Sequence, residues 1–255
     1  MKKGLYYGIL AVLVAVFLFS AYKIGDYLLE KHRSDQILDH TSKFVTVEKD
    51  TDQKKDSDEA PEMVVVDFQE LHKMNSDIVG WLYCANTKIN YPVVQASDNE
   101  YYLHRLLDGS WNANGTIFMD YRNSTDLSDR NTIIYGHNMK SGAMFGQLGN
   151  YKSQGYYDEH PYLYYITESE TYRIDLLAGC IVDSTDSIYS LDPNEENIER
   201  CMARSTFAAD KEYQGGRIVI LSTCTYEYDD ARYIVLGEIM KEEDSPLKNA
   251  SDIAQ

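Results

Sequence analysis

The chain has 255 residues and 44% apolar content, enough for one substantial core with appendages. Its formal charge of −17 excludes a nucleic-acid binder, which needs a basic face, and excludes a polybasic grip on anionic lipid. Four cysteines (Cys84, Cys180, Cys201, Cys224) are too few and too scattered for a disulfide scaffold. With no C-x-x-C, H-E-x-x-H or glycine-rich phosphate loop, neither a metal nor a nucleotide cofactor is expected.

The N-terminus carries the topology. Lys2 and Lys3 precede an uncharged run from Gly4 to Tyr22, which Lys23 closes. About 20 apolar residues cross a bilayer core as a helix. Lysines at the start favour a cytoplasmic N-terminus and an exported remainder. The competing reading is a cleaved signal peptide, but Phe19-Ser20-Ala21-Tyr22 is a poor cleavage site. Residues 1–23 are therefore expected to be a single-pass anchor in the cell membrane, with the rest of the chain outside.

Gly25 to His40 can continue as a polar helix. Glu48 to Glu62 is almost all charged or small and has too little apolar surface to offset its ordering entropy. Residues 24–62 thus read as an extracellular tether, 63–241 as the folded domain, and 242–255 as a flexible tail containing Pro246.

Within the domain, Asp67 to Val79 reads as a helix, with Asp67 as cap, Glu70 three positions on, and Phe68, Leu71 and Ile78 near one face. Strand candidates are Ile89–Gln95, Thr116–Met119, Asn131–Tyr135, Tyr162–Thr167, Tyr172–Val182, Arg217–Thr223 and Arg232–Met240. A second helix start lies at Asp192-Pro193-Asn194-Glu195, with Pro193 at the first helical position and Ile198 and Met202 following. The expected fold is mainly β, a closed or nearly closed barrel with peripheral helices.

Two strand ends carry the chemistry. Arg217-Ile-Val-Ile-Leu-Ser-Thr-Cys224 is an apolar strand ending in a cysteine, and Arg232 opens the next strand after the polar stretch Thr225 to Ala231. Taken alone, Cys224 is more readily a packed thiol than a nucleophile. Ile133-Ile-Tyr-Gly-His-Asn138 presents His137 at another strand end, and together the two supply the couple that activates a thiol. With ordinary values near 8.5 for cysteine and 6.5 for histidine, neutral partners predominate unless the site stabilises the ion pair. Both possibilities stay open in the sequence.

At this point Ile220-Leu-Ser-Thr-Cys224 resembles the T-L-x-T-C signature of sortases, with isoleucine where threonine is usual. Tyr135-Gly-His137 and Arg232 resemble the family's histidine strand end and strand-opening arginine. Tyr91–Leu103 and Gly115–Asn123 are similar to class B members, so the resemblance runs from about Asp67 to Met240. It implies a sortase-like barrel in which Cys224 is the nucleophile. His137 is then the proton donor and acceptor, and Arg232 the oxyanion stabiliser. The substrates implied are a C-terminal sorting pentapeptide of a surface protein, cleaved after threonine, and an amine of peptidoglycan. Ser222, Thr223, Thr225 and Tyr226 are the expected substrate-facing residues, and Asp192 to Phe207 matches the class's added helix.

Other residues carry plainer expectations. Cys84, Cys180 and Cys201 read as packed structural residues, Asp229 and Asp230 as solvated loop rather than partners of His137. Asp120, Asp126 and Asp129 lack calcium-loop periodicity. Two rival functions stand beside the transpeptidase: an exported cysteine peptidase that only hydrolyses, and a non-catalytic wall-binding module.

Overall fold

In the computed structural model, which describes residues 2–49 and 62–239, the N-terminal apolar run is part of one long helix, α1 (Lys2–Thr41). The helix is long and apolar enough to cross a membrane, and none of its apolar window is buried against protein. Large side chains from Leu5 to Leu29 stand exposed, whereas Ser34 and Thr41 are buried. Ser34, Ile37 and Leu38 line a small pocket with Leu106, Leu107 and Gly115, so the last turns of α1 dock on the domain.

The chain after α1 is not a plain tether. Strand β1 (Val45–Lys49) pairs antiparallel with β2 (Glu62–Val66), Val45 facing Val66. The charged stretch expected from Glu48 to Glu62 thus starts inside β1 and ends on the first residue of β2, while residues 50–61 between them, with the tail at 242–255, lie outside the described residues.

Helix α2 (Phe68–Met74) begins as its sequence indicates, the Asp67 carboxylate accepting from Glu70 N at 3.1 Å. It stops five residues earlier than the Asp67–Val79 reading. Asn75 is extended, its side chain accepting from Asp77 N and donating to Tyr102 Oη and Leu107 O. Ile78 then opens an unforeseen strand, β3 (Ile78–Tyr83). Both faces of β3 are covered, so no period-2 signal marks it. A Cβ at Gly80 would come within 2.3 Å of the Tyr165 ring, so this strand needs its glycine.

The other barrel strands are β4 (Asn90–Val94), β5 (Phe118–Met119), β6 (Asn131–Tyr135), β7 (Tyr162–Ile166), β8 (Thr171–Asp183), β9 (Ile218–Cys224) and β10 (Ala231–Ile239). They close in the order β10-β8-β7-β3-β4-β5-β6-β9. The interior packs Leu82, Val93, Met119, Ile134, Tyr165, Leu176, Leu221 and Tyr233. Phe68 and Leu71 of α2 cover one outer patch with Trp81 and Phe118. A short helix, α3 (Gln154–Glu159), buries Tyr157 against Phe207.

Helix α4 (Glu195–Ala203) covers the opposite patch, setting Ile198 and Cys201 on Ile218, Ile220 and Ile234. Its cap is Asn194, accepting from Asn197 N at 3.0 Å, so Asp192 and Pro193 precede the helix rather than start it. Cys201 and Cys180 are not separate packed thiols; they form a disulfide, with Cα atoms 6.0 Å apart. This bond ties α4 to β8 and closes a loop with a sequence separation of 21. On the chain-entropy estimate such a loop contributes about 3 kcal/mol. Cys201→Ser, like reduction of the wild type, is expected to lower the melting temperature by several degrees, measured calorimetrically in oxidising and reducing buffer.

Candidate active site

Strand pairing brings the predicted residues together. β6 and β9 run parallel, with Tyr135 beside Ser222, and Gly136 N donates to Ser222 O at 3.1 Å. Continuing that register places His137 level with Cys224, each two residues further along. On the other side β9 pairs antiparallel with β10, and Arg232 is the Cα partner of Cys224. Cys224 and Arg232 therefore face each other across β9 and β10, and His137, two residues past the end of β6, lies on the other side of Cys224, with neighbouring strands about 4.8 Å apart. Cys224 is half-buried at the end of β9. Directly opposed residues point to the same side of a sheet, so the thiol and the guanidinium share one face.

The histidine is fixed from several directions. Its Nε2 lies 2.7 Å from Leu103 O. A carbonyl only accepts, so Nε2 carries a hydrogen, and in the neutral ring Nδ1 holds the lone pair. Asn138 donates to Cys224 O at 2.8 Å, tying the histidine loop to the cysteine strand. A Cβ at Gly136 would meet Ile117 at 2.4 Å and Phe145 at 2.8 Å, so the residue before His137 has to be glycine. His104 stacks on His137 with ring centroids 5.6 Å apart. Burial holds His137 below the usual imidazole range; its bond to Leu103 O opposes this, and the His104 charge adds to it.

Arg232 is half-buried and donates through Nη1 to Ala231 O at 3.0 Å, which leaves most of its five N–H donors for a ligand. Ser222, on the same face as Cys224, is held by the Tyr189 hydroxyl at 2.8 Å. Burial pushes that phenol up to about 12, so it is neutral and able to donate. Thr223 points the other way, buried, with its hydroxyl donating to Gly136 O at 2.7 Å. It braces the two strands and does not present a group to a ligand, contrary to the expectation for it. Thr225 is half-buried, and its hydroxyl donates to Glu227, which also pairs with Lys152. Tyr226, in the same loop, is 80% exposed.

Several contributors leave no mark in the sequence. Leu103 acts through its backbone and gives no side-chain signal. Tyr189 belongs to a short 3-10 turn whose proximity to Ser222 depends on tertiary packing. Asp120, whose spacing with Asp126 and Asp129 lacks calcium-loop periodicity, is a fully buried carboxylate held by Arg122 Nε and Nη2 at 2.8 Å each, with Asn99 and the Tyr135 hydroxyl. Tyr135 in turn stacks on Tyr189, so this ion pair supports the wall behind Ser222. Asp229 and Asp230 are exposed, and the partner of His137 is Leu103 instead.

The sequence profile of the sortase domain matches residues 82–240. Sortase B of Listeria monocytogenes is 34% identical over 90% of this chain and 94% of its own length. A Staphylococcus aureus sortase B–substrate complex superposes with a TM-score of 0.64 at 30% identity, covering 69% of this chain and 85% of that one. Sortase B of Bacillus anthracis reaches a TM-score of 0.66 at 30% identity, covering 86% and 100%. The chain belongs to the sortase family, the cysteine transpeptidases of cell-wall anchoring. Within that family it is of class B.

Proposed function

We propose that Cys224, His137 and Arg232 carry out the transfer, with a sorting-signal peptide as donor and a peptidoglycan amine as acceptor. The observation that carries this reading is their placement side by side, Cys224 on β9, Arg232 opposite it on β10 and His137 just past the end of β6. The Cys224 thiolate attacks the carbonyl carbon that follows threonine in the pentapeptide. Arg232, beside it, stabilises the oxyanion of the tetrahedral intermediate. His137 gives a proton to the departing amine, leaving a thioacyl bond on Cys224. The acceptor amine then attacks that bond after losing a proton to the same imidazole, and the thiolate returns.

The lowered basicity of His137 supports a resting state rich in neutral imidazole, with the ionised pair as its minor, reactive fraction. Ser222, Thr225 and Tyr226 border the nucleophile and are the substrate-facing residues of this reading. The S. aureus relative has been solved as a substrate complex and with a triglycine ligand, which agrees with a peptide donor and an amine acceptor. Residues 1–23 anchor the enzyme in the cell membrane with the N-terminus cytoplasmic, and residues 63–241 act outside on surface proteins bearing C-terminal sorting signals.

The experiment is product analysis with a panel of candidate pentapeptides, with and without a primary amine. The expected product carries the amine on the new threonine carboxyl end. Hydrolysed peptide alone, at a rate indifferent to the amine, would make the chain a peptidase. No turnover of any peptide would leave a wall-binding module.

A further inference from the structure

We propose that the rim of the barrel bearing Trp111 rests on the lipid headgroup layer, so that the His137 end of the site opens against the membrane surface. This rests on the reading of residues 1–23 as a membrane anchor.

The helix supplies the ruler. α1 runs unbroken from Lys2 to Thr41, and an α-helix rises about 1.5 Å per residue. Its apolar run ends at Lys23, and the barrel first grips it at Glu30, where Asn112 donates to Glu30 O at 2.8 Å. That contact sits roughly 10 Å above the hydrocarbon edge. The headgroup layer on each side is about 5–8 Å thick, so the grip is within a side chain's length of it. Asn112 and Glu30 leave no room for a long flexible spacer between membrane and domain.

The side chains at that level are those an interface would favour. Tyr27, Leu28 and Leu29 are 51%, 56% and 65% exposed, an apolar turn in the stretch between Asp26 and Glu30. Trp111, next to Asn112, is 58% exposed. It is not on a loose loop. Arg105 pairs with Trp111 as a β-bridge, Leu106 N donates to Ser110 O at 2.9 Å, and Arg105 Nη1 donates to Gly109 O at 2.9 Å. A rigidly held, exposed tryptophan suits the boundary between headgroups and water, where its ring is apolar and its N–H finds partners.

The same tryptophan leads into the active site. Trp111 stacks on His104 at 6.2 Å, and His104 stacks on His137 at 5.6 Å. His137 is thus two ring spacings from the surface that meets lipid, and the reacting carbonyl must be presented at the membrane rather than far above it.

The test uses the full chain in phosphatidylcholine vesicles. The protein has two tryptophans, and Trp81 is fully buried, so Trp111 dominates the environment-sensitive emission. A spin label on the lipid headgroup should quench a large share of wild-type emission, and an acyl-chain label should quench less. Trp111→Phe, which leaves only Trp81, should abolish the headgroup effect. Flotation of the same samples reports the anchor independently. If the chain floats with the vesicles but wild type and Trp111→Phe respond alike to the headgroup label, while aqueous iodide quenches Trp111 freely, the proposal falls and the anchor stands. If the chain does not float, both fall.

Discussion

Cys224→Ala is expected to yield a folded protein with no measurable cleavage of a sorting peptide. The side chain is small and half-buried at the end of β9. The backbone contacts that shape the site, Asn138 to Cys224 O and Gly136 N to Ser222 O, do not need the sulfur. Thermal stability should therefore stay near that of the wild type, as for most changes that bury nothing and expose little. No other thiol can stand in. Burial raises Cys84 to about 11, and Cys180 and Cys201 are joined to each other. Peptide turnover by this variant, measured by chromatography, would remove Cys224 from the mechanism.

Arg232 is the second large effect. A guanidinium is planar and gives parallel hydrogen bonds, whereas an ammonium is a point charge on a flexible stem. Arg232 is set opposite Cys224 by strand register, and its Nη1 donates to Ala231 O. If it meets the oxyanion, the interaction exists chiefly in the transition state, and its loss falls on kcat rather than KM. Arg232→Ala and Arg232→Lys are both expected to lower kcat by about 10²–10³, the usual effect of removing one oxyanion donor. A near-normal kcat for Arg232→Lys would make the residue a source of charge alone. Wild-type kcat for Arg232→Ala would leave the oxyanion to backbone N–H groups.

The parts of this fold legible in the sequence are those where local and tertiary demands agree. β6 is legible at its observed limits, Asn131–Tyr135, and β9 and β10 within a residue at each end, because their β-branched runs end at polar or glycine-containing turns. β9 and β10 carry Cys224 and Arg232, and His137 follows β6 by two residues, so the placement of the three at neighbouring strand ends is legible too. β3 is hidden because Ile78 falls seven residues after Leu71 and mimics a helical face, while Gly80 weakens the strand signal. The Cys180–Cys201 bond is hidden for another reason. It depends on how α4 lies across β8, and spacing along the chain says nothing of that. Thr223 misleads through its position beside Cys224: period-2 alternation turns it to the opposite face from Ser222 and Cys224. Leu103 and Tyr189 act by backbone placement and packing, which no motif records.

The central claim is a covalent acyl transfer through Cys224, and intact-protein mass spectrometry tests it most directly. Enzyme mixed with a sorting pentapeptide in the absence of amine should gain the mass of the acyl fragment ending in threonine. The added mass should map to Cys224 and disappear within the turnover time once a primary amine is supplied. Turnover with no acyl-enzyme detected under rapid quench, or an adduct on any other residue, would contradict the account.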